Sequence, residues 1–228
     1  MKFISSKWVW LSILFNIGVL FIGARHYYIL HRQNQEIPNN GWPDLWNKER
    51  VEIYKMCPID TGDIVFIGNS LTEAFPVAEI FPHKHIKNRG IGGNKTSHLL
   101  SRITPILDCH PRQLFVEIGI NDLWNGIPED SAFEHYKTLI NIINSRKIPL
   151  YIQSLFPTCG EYTRVNPEII YFNQRLKNYC LLKKVEYIDI YPFLCKNGVL
   201  DSALTYDGLH LNSAGYKIWK EKIEGFIN

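Results

Sequence analysis

The sequence predicts a three-layer α/β/α sandwich built around a five-stranded parallel sheet. Two observations carry this prediction: short strand-like runs alternate along the chain with helical segments, and the strongest of them, such as residues 64–67, are apolar throughout rather than at every second position. Continuous apolar runs indicate strands that are buried on both faces. Alternation of strands and helices indicates a parallel sheet, and right-handed crossovers then put helices on both of its faces.

Five strands are expected between residues 60 and 190. Asp63–Gly68 is an apolar run of strand length, whereas His85–Asn88 is more polar and is expected at an edge of the sheet. The other three strands follow further along the chain: Leu114–Gly119, Leu150–Leu155 and Glu186–Ile190. In open parallel sheets the functional site lies beyond the carboxyl ends of the strands, so residues that carry chemistry should directly follow these runs.

Helical segments fill the intervals between the strands and both ends of the domain. Pro128–Arg146, for example, repeats its apolar residues at a spacing of three and four, which is typical of a helix with one buried face. Asn212 or Ser213 is a suitable N-cap for the last helix. The other expected helices are Trp42–Met56, Thr96–Leu107, Asn166–Lys183 and Asn212–Ile227.

An uncharged apolar segment, Trp8–Ala24, lies near the amino terminus. As a helix it would span about 26 Å, near the lower limit for a bilayer core. We interpret residues 1–32 as a single-pass membrane signal-anchor, residues 33–42 as a polar linker and residues 43–228 as the catalytic domain, on the non-cytoplasmic side of the membrane. A cleaved signal peptide and a buried core helix are the alternatives, although residues 22–24 match a cleavage site poorly.

Charge and cysteine content exclude several classes of function. The net charge of +3 arises in the first 35 residues, and the remainder carries 21 basic against 22 acidic residues without a basic run. Nucleic-acid binding is therefore not expected. The five cysteines form no CxxC pair and no zinc-like spacing with histidine, so they do not indicate a metal site. Buried free thiols are the expected state, with one or two disulfides as the alternative outside the cytoplasm.

Four short motifs follow the predicted strands. Each is a weak signal alone, because a strand-end serine is commonly a helix cap and a glycine-rich segment is commonly just a turn. Together they contain the parts of an acyl-transfer site. The motifs are Gly68-Asn69-Ser70-Leu71-Thr72, Asn88-Arg89-Gly90-Ile91-Gly92-Gly93-Asn94, Gly119-Ile120-Asn121-Asp122 and Asp207-Gly208-Leu209-His210.

The chemistry of these motifs assigns each a role. A serine hydroxyl is a poor nucleophile until a base takes its proton, and His210 can act as that base for Ser70. Asp207 can fix the tautomer of His210 and stabilise its protonated form. The backbone N–H of Ser70, the backbone N–H of a glycine at 92 or 93, and the side-chain amide of Asn121 can then bind the oxyanion.

At these residues the chain resembles the SGNH (GDSL-type) hydrolases, whose four sequence blocks occur here in order. The resemblance covers roughly residues 60–228 and implies a flavodoxin-like parallel sheet and hydrolysis of esters or thioesters without a metal or cofactor. It implies that Ser70, Asp207 and His210 are catalytic, and that Ser70, Gly93 and Asn121 form the oxyanion hole. The commonest first block has Asp before the serine, whereas this chain has Asn69.

Other folds match less well. An α/β-hydrolase needs GxSxG around its nucleophile, but Leu71-Thr72 follows Ser70. A dinucleotide-binding turn needs a third glycine where Lys95 stands, and a P-loop needs GKT where Gly93-Asn94-Lys95-Thr96 contains an additional Asn.

The expected reaction is hydrolysis of a carboxylic ester, with a short acyl group such as acetyl on a carbohydrate as the substrate. A lysophospholipase, lipase or thioesterase acting on longer chains is one alternative. A membrane-tethered binding protein without turnover is another. Phe75, Trp124 and Phe156 follow strand ends and are candidates for the wall of the substrate pocket, with core or rim packing as the competing interpretation.

Overall fold

Five parallel strands form the centre of the fold. A computed structural model describes residues 42–228 of the chain. The strands pair in the order β2-β1-β3-β4-β5, and every pair is parallel. The predicted sheet is therefore confirmed, with the polar strand β2 at one edge. Their bounds are β1 Ile64–Gly68, β2 Ile86–Gly90, β3 Gln113–Glu117, β4 Leu150–Gln153 and β5 Glu186–Ile188.

Helices cover both faces of this sheet, as the alternating pattern predicts. Within the described residues the helices are α1 Trp42–Lys55, α2 Ser70–Glu73, α3 Val77–Ile80, α4 Thr96–Asp108, α5 Ile120–Trp124, α6 Glu129–Ser145, α7 Asn166–Lys183, α8 Tyr191–Leu194 and α9 Ser213–Ile223. Asn212 caps α9, since its side-chain oxygen accepts the N–H groups of Ala214 and Gly215.

Alternate residues of the central strands point into two separate cores. On one face, Val65, Ile67 and Val116 pack with the apolar stripes of α4, α6 and α7. On the other face, Phe66 and Phe115 stack with ring centroids 4.6 Å apart, and Trp219 of α9 is fully buried beside them. The central strands β1 and β3 are buried on both faces, which explains why the sequence there is nearly all apolar.

The strand order reverses between β1 and β3, where the chain leaves one side of the sheet and returns to the other. Such a switch point opens a crevice beyond the carboxyl ends of the two strands. Ser70 follows β1 and Asn121 follows β3, so the topology brings the first and third motifs to this crevice.

Several short elements were not predicted from the sequence. They are the single-turn helices α2, α3, α5 and α8, a hairpin of β6 Cys195–Lys196 and β7 Val199–Leu200, and three 3₁₀ turns at Gly160–Val165, Ser202–Leu204 and Glu224–Phe226. One to two turns bury too few apolar residues to leave a periodic signal. The last helix also ends earlier than predicted, at Ile223, where a 3₁₀ turn replaces it.

The predicted signal-anchor at residues 1–32 and nearly all of the linker at residues 33–42 lie outside the described residues. Among residues 42–228, no helix is both long enough and apolar enough to cross a bilayer. The five cysteines all lie within the described part and all are free thiols there, as predicted, but only Cys180 is buried; Cys57 is exposed and the other three are partly exposed.

Candidate active site

Ser70 is the first residue of α2, at the sharp turn that follows β1. Asn69 caps this helix, and its Oδ1 accepts the N–H of Leu71 at 2.8 Å. The chain is tightly packed here. A Cβ added to Gly68 would lie only 2.2 Å from both the Glu117 carbonyl oxygen and Thr72 Oγ1. The serine hydroxyl is thus presented at the carboxyl edge of the sheet by a backbone with little freedom to move.

The fourth motif forms a loop held by its own hydrogen bonds. Asp207 Oδ1 accepts the backbone N–H groups of Leu209 at 2.9 Å and His210 at 2.7 Å. Thr205 Oγ1 accepts the N–H of Gly208 and donates to the His210 carbonyl. Gly208 has φ +92°, and a Cβ there would lie 2.6 Å from the Cys159 carbonyl oxygen, so only glycine fits this turn.

Ser70, His210 and Asp207 form a continuous hydrogen-bonded chain. Ser70 Oγ lies 3.0 Å from His210 Nε2, and His210 Nδ1 lies 2.6 Å from Asp207 Oδ2. Partial burial opposes ionisation of Asp207, but the hydrogen bonds from His210 and from two backbone N–H groups outweigh it and lower the pKa of the carboxyl. Asp207 therefore stays ionised at neutral pH and orients the imidazole with Nε2 facing the serine.

The glycine-rich loop after β2 distinguishes Gly92 from Gly93. The Gly92 N–H donates to Glu73 Oε2 at 2.7 Å, so this donor is already used. Gly93 has φ +74°, and within residues 42–228 its N–H has no hydrogen-bond acceptor. Of the two glycines, Gly93 is the one with a donor free for a ligand.

Asn121 lies on α5, in direct contact with this loop. Its Nδ2 donates to the Asn94 carbonyl at 3.0 Å, and an amide nitrogen carries two hydrogens, so one remains for a bound oxyanion. The next residue, Asp122, is buried and accepts both the N–H and the hydroxyl of Thr96 at the start of α4. These contacts fix the third motif against the second.

The three aromatic residues predicted for the pocket wall have different surroundings. Phe75 and Phe156 are 1% and 2% exposed, and both rings pack against Trp219 in the core. Their burial favours core packing over a place in the substrate pocket. Trp124 is half-buried, contacts Tyr162 and lies beneath the Arg164 guanidinium, so it stays a candidate for the pocket rim.

A buried carboxyl close to Ser70 in the sheet was not predicted from the sequence. Glu117 is 0% exposed, and β3 pairs it with Gly68 of β1, two residues before Ser70. Burial raises the pKa of Glu117 to about 8, and the neighbouring Asn69 side chain opposes this only in part. Neither carboxyl oxygen has a hydrogen-bond partner of good geometry. The signal in the sequence is a single acidic residue inside the otherwise apolar run at residues 114–119.

Glu117 should make the stability of the protein depend on pH. Its folded pKa lies above its ordinary value of 4.5, so the native state keeps a proton that the unfolded state loses. The free energy of unfolding should therefore fall by about 3 kcal/mol between pH 5 and pH 8 and level off above the folded pKa. Glu117→Gln should remove this fall, as measured by urea unfolding of both proteins across that range. Parallel curves would show that Glu117 is not protonated in the native state.

Among the described residues, no group of three or more His, Cys, Asp and Glu side chains is arranged to hold a metal ion. The absence of a metal or cofactor from the mechanism stays a prediction from the sequence.

Comparison with known proteins identifies the family. The family model described as GDSL-like Lipase/Acylhydrolase matches residues 66–218, which include all four motifs. A GDSL-like lipase from Bacteroides thetaiotaomicron has the same fold, with a TM-score of 0.72 and 22% identity over 78% of this chain and 96% of that chain.

Two curated relatives are also similar. An N-acylneuraminate cytidylyltransferase from Streptococcus agalactiae is 26% identical over 93% of this chain but only 46% of its own length, so the chain spans about half of that relative. The alpha2 subunit of platelet-activating factor acetylhydrolase IB from Rattus norvegicus is 26% identical over 76% of this chain and 79% of its own. Because the family model matches residues 66–218, about two thirds of the chain, the chain belongs to the GDSL-like lipase/acylhydrolase family.

Proposed function

We propose that the protein hydrolyses a short-chain ester, with an acetylated carbohydrate as its substrate class, through an acyl-Ser70 intermediate. The observation that carries this proposal is the chain of contacts from Ser70 Oγ to His210 Nε2 at 3.0 Å and from His210 Nδ1 to Asp207 Oδ2 at 2.6 Å. A nucleophile, its base and the group that orients the base are the minimum set for acyl transfer.

Acylation begins when Ser70 Oγ attacks the ester carbonyl carbon and His210 Nε2 takes the hydroxyl proton. The tetrahedral intermediate then collapses as its bond to the leaving oxygen breaks. His210 returns the proton to that oxygen, so the alcohol leaves neutral and the acyl group stays on Ser70. Ionised Asp207 stabilises the imidazolium during both proton transfers.

Deacylation repeats these steps with water as the nucleophile. His210 takes a proton from water, the hydroxide adds to the acyl carbonyl, and the Ser70–acyl bond breaks while Oγ recovers its proton from His210. The products are a free carboxylic acid and the regenerated serine, which balances the reaction without a cofactor.

In both acylation and deacylation the carbonyl oxygen becomes negatively charged and needs hydrogen-bond donors. We assign this role to the backbone N–H of Ser70, the backbone N–H of Gly93 and the amide of Asn121. The commitment of the Gly92 N–H to Glu73 supports Gly93 over Gly92. One such donor typically contributes a factor of about 10² to 10³ in rate.

The names of the relatives support a short acyl group on a sugar. One relative is an acetylhydrolase by name, and the name of another specifies an enzyme that acts on N-acylneuraminate, a sugar acid. A longer acyl chain is the second candidate, favoured by an open groove of about 560 Å³. Tyr206, Leu211 and Tyr216 line this groove, and the Tyr206 ring stacks at 5.9 Å from His210.

An acyl-chain series of p-nitrophenyl esters separates these candidates. A short-chain esterase should give its highest kcat/KM with acetate and lose at least about 10-fold by octanoate, whereas a groove-binding lipase should show the reverse order. A fluorophosphonate probe should label one residue, Ser70, as located by peptide mass spectrometry. Folded protein that neither turns over any ester nor reacts with the probe would instead be a binding protein.

We also propose that residues 1–32 anchor the enzyme in a membrane with the catalytic domain on its non-cytoplasmic side. Support comes from the uncharged segment Trp8–Ala24 and its basic and aromatic flanks. Protease added to intact cells should digest the catalytic domain, and full protection there would contradict the orientation. Solubility of the full chain after alkaline carbonate washing of membranes would contradict the anchor.

A further inference from the structure

The helix that precedes the family-matched region contacts the oxyanion loop directly. The match begins at residue 66, and α1 spans residues 42–55. Asn47 Oδ1 accepts the side-chain N–H of Asn94 at 3.0 Å, and the Tyr54 hydroxyl donates to the Gly90 carbonyl at 2.5 Å. These two side chains lie seven residues apart, on one face of the helix.

Arg50 lies between them on the same face and reaches the loop through an acidic residue. Its Nε is 3.1 Å from Glu73 Oε1, and both side chains are only about one quarter exposed. The other oxygen of Glu73 accepts the Gly92 N–H. The guanidinium is further held over the ring of Tyr54 at 4.9 Å and donates to its hydroxyl. A continuous set of contacts thus leads from α1 to the residue before Gly93.

Most other backbone groups of this loop are also committed. The Ile91 N–H donates to the Gly68 carbonyl, the Asn94 N–H donates to the Ile91 carbonyl, and the Asn94 carbonyl accepts from Asn121. With the Gly92 N–H held by Glu73, the direction of the Gly93 N–H is determined by these contacts. The position of one donor in the site therefore depends on α1.

The charge of Glu73 makes its ionic partner important. A Cβ built on Gly92 would lie 3.0 Å from Glu73 Oε2 and 3.9 Å from the Ser70 Cβ, so the carboxylate is close to the reacting serine. A second negative charge develops nearby when the oxyanion forms. Arg50 offsets the first charge, and without it the carboxylate would raise the energy of the transition state.

We infer that Arg50 is a positioning residue for ester hydrolysis, acting through Glu73 to aim the Gly93 N–H and to neutralise the carboxylate beside the oxyanion. This inference rests on the proposed function. It extends the site to a helix that lies ahead of all four sequence motifs.

The test compares Arg50→Gln, Glu73→Gln and the double variant in the full chain, with p-nitrophenyl acetate as substrate. Arg50→Gln should lower kcat by about 10- to 10²-fold and leave KM within about two-fold, because the defect lies in the transition state. Glu73→Gln keeps an acceptor for the Gly92 N–H and should lower kcat less than Arg50→Gln does. The double variant should be faster than Arg50→Gln, since the unpaired carboxylate is gone, and Arg50→Lys should recover most of kcat.

A structural role alone gives a different pattern. It predicts that the double variant is no faster than Arg50→Gln and that every loss of kcat follows a loss of Tm. Lys55→Gln is the matched control on the same helix, because it breaks only the exposed ion pair with Glu52 and should leave kcat unchanged.

Wild-type kcat in Arg50→Gln, or a double variant no faster than Arg50→Gln, overturns the inference. Hydrolysis by the wild type in the same assay shows that the proposed function stands in either case. A wild type without hydrolysis or fluorophosphonate labelling overturns the proposed function and this inference with it.

Discussion

Ser70→Ala is expected to lower kcat/KM for p-nitrophenyl acetate by about 10⁴- to 10⁶-fold. Alanine lacks the oxygen that forms the acyl-enzyme, so only the oxyanion donors and substrate binding would remain to assist attack by water. The fold should be unaffected, because the N-cap of α2 is the Asn69 side chain and the serine hydroxyl takes no part in it.

Steady-state kinetics of purified wild type and Ser70→Ala, with Tm measured for both, check this expectation. Ser145→Ala is a suitable control, since its exposed hydroxyl bonds only to the Ile142 carbonyl within its own helix. Comparable rates in wild type and Ser70→Ala, after removal of contaminating esterases, would rule out the acyl-serine mechanism.

The sheet could be predicted well because its strands carry the same signal along their length. β1 and β3 are buried on both faces, and every residue of each strand is buried. The helices α6 and α7 could also be predicted, because each has one face of buried apolar side chains over four or five turns. The prediction was least accurate for short elements such as α2 and α8, whose conformation is fixed by contacts distant in sequence.

The four motifs could be recognised because each is a short local sequence, and the first three lie next to strand ends. Asp207 and His210 are three residues apart, and their contact follows from one turn of backbone. The motif alone did not show whether Gly92 or Gly93 supplies the oxyanion donor, and only the family resemblance favoured Gly93. The structure separates the two through Glu73, which lies 19 residues away along the chain.

The contacts of α1 and the surroundings of Glu117 could not be predicted from one sequence. Asn47 and Asn94 are 47 residues apart, and Tyr54 and Gly90 are 36 residues apart. A polar residue on a helix has no sequence feature that specifies its distant partner. The prediction that Phe75 and Phe156 line the pocket was wrong for a related reason. Both rings fill the core around Trp219, and a position after a strand end does not distinguish a core residue from a pocket residue.

Asp207→Asn tests the part of the mechanism in which the carboxylate fixes the tautomer of His210. The asparagine oxygen can still accept the N–H groups of Leu209 and His210, so the loop should fold normally. The amide nitrogen would then face Nδ1 as a donor and favour the tautomer with its proton on Nε2. His210 Nε2 could then no longer accept the Ser70 proton, and kcat should fall by about 10³- to 10⁴-fold.

The measurement is kcat at neutral pH for Asp207→Asn beside Asp201→Asn. Asp201 is also an aspartate whose side chain accepts a backbone N–H, from Ala203, in the segment just before the loop. The control should therefore share any cost of losing a carboxylate in this region but keep nearly full activity. A fall of less than about 10-fold in Asp207→Asn would mean that another group orients His210. The 2.6 Å contact between Asp207 and His210 would then hold the loop together without assisting proton transfer.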